Sequence, residues 1–223
     1  MTTAPVPLLR TSSSLALLVA FHIAIIIASN YLVQLPIELL GFHSTWGAFS
    51  FPFIFLATDL TVRLVGKAAA RRVISRVMVP ALIASYVVSV LFHDGRFSGL
   101  GALGAFDAFV FRIASASFAA YVLGQLLDVQ VFDRIRRSRL PWWVAPAASA
   151  ILGQALDTLV FFAVAFWHSS NPFMAAHWVE IALVDYAIKL TVSLLLFVPL
   201  YGIALNAILR ILGRRTAMSA SPA

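Results

Sequence analysis

Long apolar runs separated by short polar connections dominate the hydropathy pattern of this chain. The hydrocarbon core of a bilayer is about 30 Å thick, so a helix needs about 20 apolar residues to cross it. Six runs of that length occur, at residues 15–35, 46–65, 73–92, 105–127, 144–167 and from 178 to a point between 200 and 210. Because the runs lack the alternation of barrel strands, we predict an all-α polytopic membrane protein with a bundle of six transmembrane helices.

Composition supports the same class. Hydrophobic residues make up 61% of the 223 residues and charged residues 11%, and the mean hydropathy is +0.95. Soluble domains carry about a quarter charged residues, so too few charges are present to cover a soluble surface. The absence of cysteine excludes disulfides and thiolate metal sites.

The basic residues predict an orientation. They gather in the tails and in the second and fourth connections: Arg10, Lys67, Arg71, Arg72, Arg76, Arg134, Arg136, Arg137, Arg139, Arg210, Arg214 and Arg215. The other connections contain only Arg96, so the positive-inside rule places both termini in the cytoplasm. Topology and contact with anionic lipids then explain the net charge of +7, and no nucleic-acid partner is expected.

A single domain follows from these short connections. We place the six-helix transmembrane domain at residues 15–212, between cytoplasmic tails at 1–14 and 213–223 that we expect to be disordered. The first run is too long for a signal peptide and lacks a cleavage site, so we expect it to be retained. The protein is expected to be a multi-pass membrane protein.

A ridge of small residues runs along the first helix at every fourth position, formed by Ala16, Ala20, Ala24 and Ala28. Such ridges allow the backbones of two helices to approach closely. We favour packing inside the bundle over the alternative, a docking face for a second copy of the chain or for a coupling subunit.

Several polar residues lie within the apolar runs. A charge near the middle of a bilayer costs roughly 2.5 to 3.5 kcal/mol on insertion scales, so each such residue needs an explanation. Asp59 precedes Arg63 by one turn in the second run, and Gln154 precedes Asp157 by one turn in the fifth.

The remaining polar residues lie in the first, fourth and sixth helices. Asn30 adds an amide to helix one, and Arg112 lies in the outer half of helix four. Asp185 and Lys189 lie one turn apart on one stripe of helix six, which also carries Trp178 and Ser193.

Two interpretations of these residues remain open. In the first, they form an internal lattice of ion pairs that holds the helices together: Asp59 with Arg63, Asp185 with Lys189, and Asp157 with Arg112. In the second, they line a polar binding pocket, because ionisable residues in a span are functional candidates by default. For any single residue the two interpretations carry similar weight, but the collection favours the pocket.

The chain shows no sign of a cofactor or of enzymatic chemistry. Its histidines have no metal-ligand spacing, and the nucleophile-elbow, metalloprotease and P-loop motifs are absent. We therefore predict no metal, no cofactor and no catalytic residues.

Extended motifs resemble a known family. They are Asn30 to Pro36, Gly41 to His43, Trp46 to Arg63, Leu156 to Leu159, and Glu180 to Tyr186 with Lys189. The region from about residue 15 to 212 resembles the queuosine precursor transporter family, which is similar to the substrate-binding subunits of energy-coupling-factor vitamin transporters. The resemblance implies a six-helix inner-membrane importer of the small molecules 7-cyano-7-deazaguanine and 7-aminomethyl-7-deazaguanine, which are used in tRNA modification.

Such a ligand suggests roles for the polar residues. A deazaguanine presents two adjacent N–H donors, which a carboxylate accepts side by side, and Asp157 is the first candidate, followed by Asp59. Gln154, Asn30 or Lys189 could donate to the carbonyl oxygen of the base. Aromatic residues are candidates for stacking, although core packing is favoured for each one singly: Phe51, Phe53, Phe55, Tyr186 and Trp178. The alternative function is a proton-coupled carrier or channel for another small nucleobase-like or vitamin-like solute.

Overall fold

The computed structural model of the protein describes residues 12–32, 35–39, 42–93 and 96–219. Eight α-helices account for most of these residues: α1 (Ser12–Leu32), α2 (Gly47–Ser50), α3 (Pro52–Leu64), α4 (Lys67–Leu91), α5 (Ala108–Ile135), α6 (Val144–Phe166), α7 (Pro172–Val192) and α8 (Val198–Ser219). A π-helical turn at Ser193–Phe197 joins α7 to α8 without a break. The prediction of an all-α protein is confirmed.

Two small antiparallel hairpins lie in the connections. The strands β1 (Pro36–Leu39) and β2 (Phe42–Thr45) pair with Pro36 opposite Thr45, between α1 and α2. The strands β3 (Phe92–His93) and β4 (Arg96–Phe97) follow α4, ahead of a short 3₁₀ helix at Leu100–Gly104. Hydropathy does not reveal these hairpins, because they lie in connections that are too short to show a pattern.

Five helical stretches in the described part of the chain are long and apolar enough to cross a membrane: Gly47–Leu64, Lys67–Leu91, Ala108–Ile135, Val144–Phe166 and Pro172–Ile211. The first helix contributes a shorter apolar stretch, Ala16–Ser29. The protein is therefore a multi-pass membrane protein, and a sixth span stays a prediction.

The ends of the helices differ from the predicted ends at several places. The fourth run ends at residue 127 in the sequence pattern, but α5 continues to Ile135, because Gln130 and Asp133 are compatible with a helix near the membrane surface. At the C-terminus α8 continues to Ser219, into the segment 213–223 that the sequence analysis treated as disordered. Most of the predicted tail at 1–14 lies outside the described residues.

An apolar core fills one end of the bundle. Val62 near the end of α3, Val73 and Val77 near the start of α4, and Val129 and Phe132 near the end of α5 are all fully buried there. Helices α3 and α4 are joined only by Val65 and Gly66, and Gly66 has a φ of 103°, a conformation that favours glycine. This short connection reverses the chain, so α3 and α4 lie side by side in opposite directions.

Helices α5 and α6 approach closely at two glycines. A methyl group on Gly124 would lie 2.9 Å from Cβ of Asp157, and one on Gly153 would lie 3.1 Å from Cβ of Asp128 and 3.0 Å from the Phe55 ring. Small residues permit such backbone contact between membrane helices. The two glycines therefore position two acidic side chains between α5 and α6.

The alanine ridge of α1 does not pack inside the bundle. Ala16, Ala20, Ala24 and Ala28 are all exposed on α1, while the opposite face of the helix buries His22 and Ile26. The expectation of internal packing was wrong, because α1 turns the face that carries His22 and Ile26 into the bundle. A contact with a second subunit through this ridge stays a prediction.

We expect Gly124→Ala to destabilise the bundle, because its new methyl group must displace the backbone or Asp157. Overpacking of this kind costs about 1 to 3 kcal/mol, which exceeds the gain of up to about 1 kcal/mol from replacing glycine in a helix. Thermal unfolding of the purified protein in detergent measures the change. Gly101→Ala is the matched control, because its methyl group would meet nothing within 4 Å; equal midpoints for both variants would contradict the prediction.

Candidate functional site

A cavity of about 160 Å³ lies at the end of the bundle opposite the apolar core. It is formed by the second halves of α1, α4 and α6, by α2, by the first half of α5, and by α7. The volume is about ten times the roughly 15 Å³ that a cavity needs to hold one water molecule, so the cavity can receive a larger solute.

Three charged side chains line one wall of this cavity. Nζ of Lys189 lies 2.6 Å from Oδ2 of Asp185, and both side chains are mostly buried. Asp157 is 3% exposed and lies close enough to interact electrostatically with both of them. Lys189 also lies over the Phe51 ring, 5.4 Å from its centre, a favourable cation–π contact.

The ion pair and Asp157 come from different helices. Asp185 and Lys189 lie on one face of α7 because they are one turn apart, and that face meets α6. On the α5 side, the backbone of Asp157 packs directly against Gly124. This contact fixes the position of Asp157, and Lys189 is a nearby cation. Both features suit a carboxylate that accepts hydrogen bonds from a ligand.

Aromatic and hydroxyl side chains form the other walls. Phe161 and Phe162 lie edge to face with ring centres 5.2 Å apart, and Phe118 and Tyr121 line the cavity from α5. Hydroxyl groups come from three helices: Ser29, Ser85, Ser89 and Ser117. The sequence analysis missed these residues, although serine at positions one turn apart, as at 85 and 89, marks a polar helix face.

Other predicted site residues lie away from the cavity. Arg112 donates to the carbonyl oxygens of Val164 at 2.8 Å, of His168 at 3.3 Å and of Trp167. These carbonyls end α6 and lack partners within the helix, and the negative end of the helix dipole also favours a cation. The predicted pair of Arg112 with Asp157 is therefore wrong.

Of the predicted aromatic residues, Phe51 lines the cavity, whereas Tyr186, Phe53 and Trp178 are peripheral. The Tyr186 hydroxyl donates to the Ile151 carbonyl at 3.0 Å. Phe53 is 38% exposed and meets Phe197 edge to face, and Trp178 does not line the cavity. The Asn30 side chain lies outside the part of the chain that the structure describes.

Asp59 and Gln154 belong to a second, deeper group of polar residues. Both line a small cavity of about 20 Å³, together with Ser193 and Tyr201. Nε2 of Gln154 donates to Oγ of Ser193 at 2.6 Å, at the π-helical turn. Oγ of Ser149 lies 3.3 Å from both oxygens of Asp59. The predicted pair of Asp59 with Arg63 is wrong, because Asp59 turns toward α5 and α6.

Sequence reasoning missed several residues of the deeper group. Asp128 is fully buried beside Asp59, but it lay one residue beyond the predicted fourth span. His22 bonds to Oγ1 of Thr58 at 3.2 Å, and Thr58 donates to Oε1 of Gln125. Of the predicted ion-pair lattice, only the pair between Asp185 and Lys189 is confirmed.

Comparison with known proteins identifies the family. Residues 45–204 match the family described as "Putative vitamin uptake transporter". The chain is 58% identical over 200 residues to the "Queuosine precursor transporter" of Escherichia coli (strain K12), covering 90% of each protein. The chain belongs to the queuosine precursor transporter family.

More distant members of the family extend the comparison. The "Probable queuosine precursor transporter" of Haemophilus influenzae is 56% identical over 202 residues, which cover 85% of this chain and 86% of the relative. The Bacillus subtilis relative of the same description is 32% identical, over 76% of this chain and 75% of its own length. The family's members are named as transporters and not as enzymes, as predicted. No solved structure matches the chain.

We expect the ion pair of this queuosine precursor transporter family member to show strong coupling in a double-mutant cycle. Asp185→Asn or Lys189→Met alone leaves a buried charge without its partner and should lower the thermal midpoint. The double variant should recover part of the loss, with a coupling energy on the order of 0.5 to 3 kcal/mol.

The matched control is the pair of Asp133 and Arg137. It has the same spacing, but the Arg137 side chain is 63% exposed. Exposed pairs contribute little, so its coupling should be smaller. Additive effects at Asp185 and Lys189 would show that the two charges do not support each other.

Proposed function

We propose that this protein imports the queuosine precursors 7-cyano-7-deazaguanine and 7-aminomethyl-7-deazaguanine across the inner membrane. The observation that carries the proposal is the 58% identity, over 90% of both chains, to the Escherichia coli protein named queuosine precursor transporter. The cavity supports it, because a buried carboxylate, an ion pair and aromatic rings are the groups that a deazaguanine needs.

Asp157 is the proposed acceptor for the edge of the base. The N1–H group and the 2-amino group of the ligand lie side by side and match the two oxygens of a carboxylate. Lys189 lies on the same wall of the cavity and can donate to the carbonyl oxygen of the base while it stays close to Asp185. Phe161, Phe162 and Phe118 offer faces or edges for the rings.

We propose six membrane spans with both termini in the cytoplasm. Five are the long apolar stretches described above, and α1, whose apolar stretch is shorter, is the sixth. The basic residues support this orientation, which places the cavity in the outer half of the membrane, where external precursor can reach it. Reporter fusions after Arg139 and in the segment 169–175 should read cytoplasmic and external, respectively. An external reading after Arg139 would reverse the orientation. Kinship in fold to energy-coupling-factor subunits stays a prediction.

Uptake can be tested in a bacterial strain that neither makes nor imports the precursors. The wild-type chain should restore queuosine in tRNA when either precursor is supplied outside at low concentration. Unlabelled precursor should compete with labelled precursor for uptake, whereas an unrelated vitamin should not. Failure to restore queuosine, with the protein present in the membrane, would refute the proposed function.

Asp157→Asn should weaken ligand binding at least tenfold. The substitution keeps the size of the side chain, but it removes a charged acceptor and places an N–H group opposite a ligand N–H group. Each effect costs on the order of 1 to 3 kcal/mol. Binding of 7-cyano-7-deazaguanine to the purified variant measures the change, with thermal unfolding as the check of folding.

The matched control is Asp107→Asn. Asp107 is exposed, and its side chain accepts from the backbone of Val110 at the start of α5, a role that asparagine also fills. This variant should bind as the wild type does. Wild-type affinity in folded Asp157→Asn would remove Asp157 from the site.

A further inference from the structure

Two acidic side chains face each other below the cavity. Asp59 of α3 is 4% exposed and Asp128 of α5 is fully buried. Their carboxyl groups are close enough to interact with each other. A carboxyl group offers only acceptors when it is ionised and a donor when it is protonated, so a bond between two such groups requires a proton.

Donors from other residues are scarce around this carboxyl pair, by which we mean Asp59 and Asp128. Ser149 of α6 is the neighbouring hydroxyl, at 3.3 Å from each oxygen of Asp59. The same hydroxyl lies beside Asp128, neither of whose oxygens has a hydrogen-bond partner of ordinary geometry. One hydroxyl supplies one proton, and four carboxyl oxygens need more than that.

Among the described residues, the basic side chains near the pair make no ion pair with it. Of the neighbouring helices, α8 contributes Tyr201, which lies near Asp59 and also near Arg63 and Arg136. Neither arginine forms an ion pair with Asp59 or Asp128 in the described structure, and Arg136 instead bonds to Asp133 at 2.7 Å.

Helix α1 contributes a further titratable group nearby. Its His22 is engaged with the Leu18 carbonyl and with Thr58. Two buried carboxylates in contact without a cation repel each other strongly, so the pair retains one proton.

An independent feature is a small cavity beside the pair with room for a proton carrier. The cavity of about 20 Å³ beside Asp59 is also lined by Gln154, whose Oε1 is buried without a hydrogen-bond partner. That volume is enough for one water molecule. A water there could donate to Oε1 of Gln154 and exchange a proton with Asp59.

Unpartnered polar atoms also occur on α5 and α6, the helices that carry Asp128 and Asp157. They are the Tyr121 hydroxyl and Nε2 of Gln125 on α5, and the Thr158 hydroxyl on α6. Tyr121 lines the cavity, and Asp128 follows it by seven residues on the same helix, a rise of roughly 10 Å. Buried polar atoms in proteins are normally bonded to protein or to water. These three groups, which we call the polar column, can therefore hold a chain of hydrogen bonds.

We propose that Asp59 and Asp128 form a site that binds one exchangeable proton and couples its inward movement to import of the substrate. The coupling rests on the proposed transport function. A proton from the outer side reaches the pair along the polar column while substrate occupies the large cavity. The proton leaves to the cytoplasm together with the substrate. The only bonds that form and break in this transfer are O–H bonds.

Transport into vesicles tests the coupling. The purified protein is placed in lipid vesicles, and accumulation of labelled 7-cyano-7-deazaguanine is measured, since this ligand is uncharged. With the outside one pH unit more acidic, coupling of one proton to one substrate should concentrate the ligand up to about tenfold inside. Without a gradient the ligand should only equilibrate, and protein-free vesicles give the background.

Variants locate the proton site. Asp128→Asn resembles a permanently protonated acid, so it should fold, bind the ligand and exchange internal for external ligand, yet lose accumulation. Asp59→Asn should lose accumulation as well. Asp107→Asn is the control and should accumulate ligand as the wild type does.

The wild type supplies a second test if the variants do not fold. Adding ligand to lightly buffered vesicles should make the outside more alkaline, because protons enter with the ligand. The proposal would be overturned if ligand uptake did not depend on the pH gradient, or if it depended on a sodium gradient instead. Accumulation by folded Asp128→Asn would overturn the assignment of the pair. Absence of any uptake by the wild type would instead refute the transport function itself, and the coupling with it.

Discussion

The close contact between α5 and α6 at Gly124 and Gly153 is the constraint on which both polar sites depend. Any side chain at Gly124 would meet Asp157, and any side chain at Gly153 would meet Asp128. The contact therefore holds one carboxyl group at the wall of the large cavity and another at the deeper level. Without a hydrophobic effect between helices in lipid, such close packing is a main source of helix association. The same contact that stabilises the bundle thus also fixes the chemistry of its interior.

The interior is divided into layers. An apolar core of valines and Phe132 closes one end of the bundle. The carboxyl pair and its neighbours lie above it, and the large cavity with Asp157 lies beyond them. Polar groups in a membrane are costly and need partners. Here they concentrate between α5, α6 and their neighbours, away from lipid, while large apolar side chains such as Leu183 and Leu195 face outward. This separation makes a polar route compatible with a lipid-exposed surface.

Identical spacing led to different outcomes for two acid–base pairs. Asp185 and Lys189 are one turn apart and pair at 2.6 Å, as predicted. Asp59 and Arg63 have the same spacing, but Asp59 faces Ser149 and Asp128 instead. Local spacing brings two side chains to one helix face, and the neighbouring helices decide whether they turn toward each other. Arg112 shows in the same way that sequence position alone does not fix a partner. It bonds to the free carbonyls at the end of α6 and not to Asp157, its predicted partner.

Hydropathy alone determined the class of the protein, the approximate positions of its helices and the presence of acids among them, because a bilayer of fixed thickness requires apolar runs of fixed length. The extended motifs determined its family. Only the tertiary structure decided which acids share a site. Asp157 joins Asp185 and Lys189 across α6 and α7, and Asp59 joins Asp128 across α3 and α5. These groupings join residues far apart in the sequence, and they depend on how helices rotate and pack, which no local pattern records.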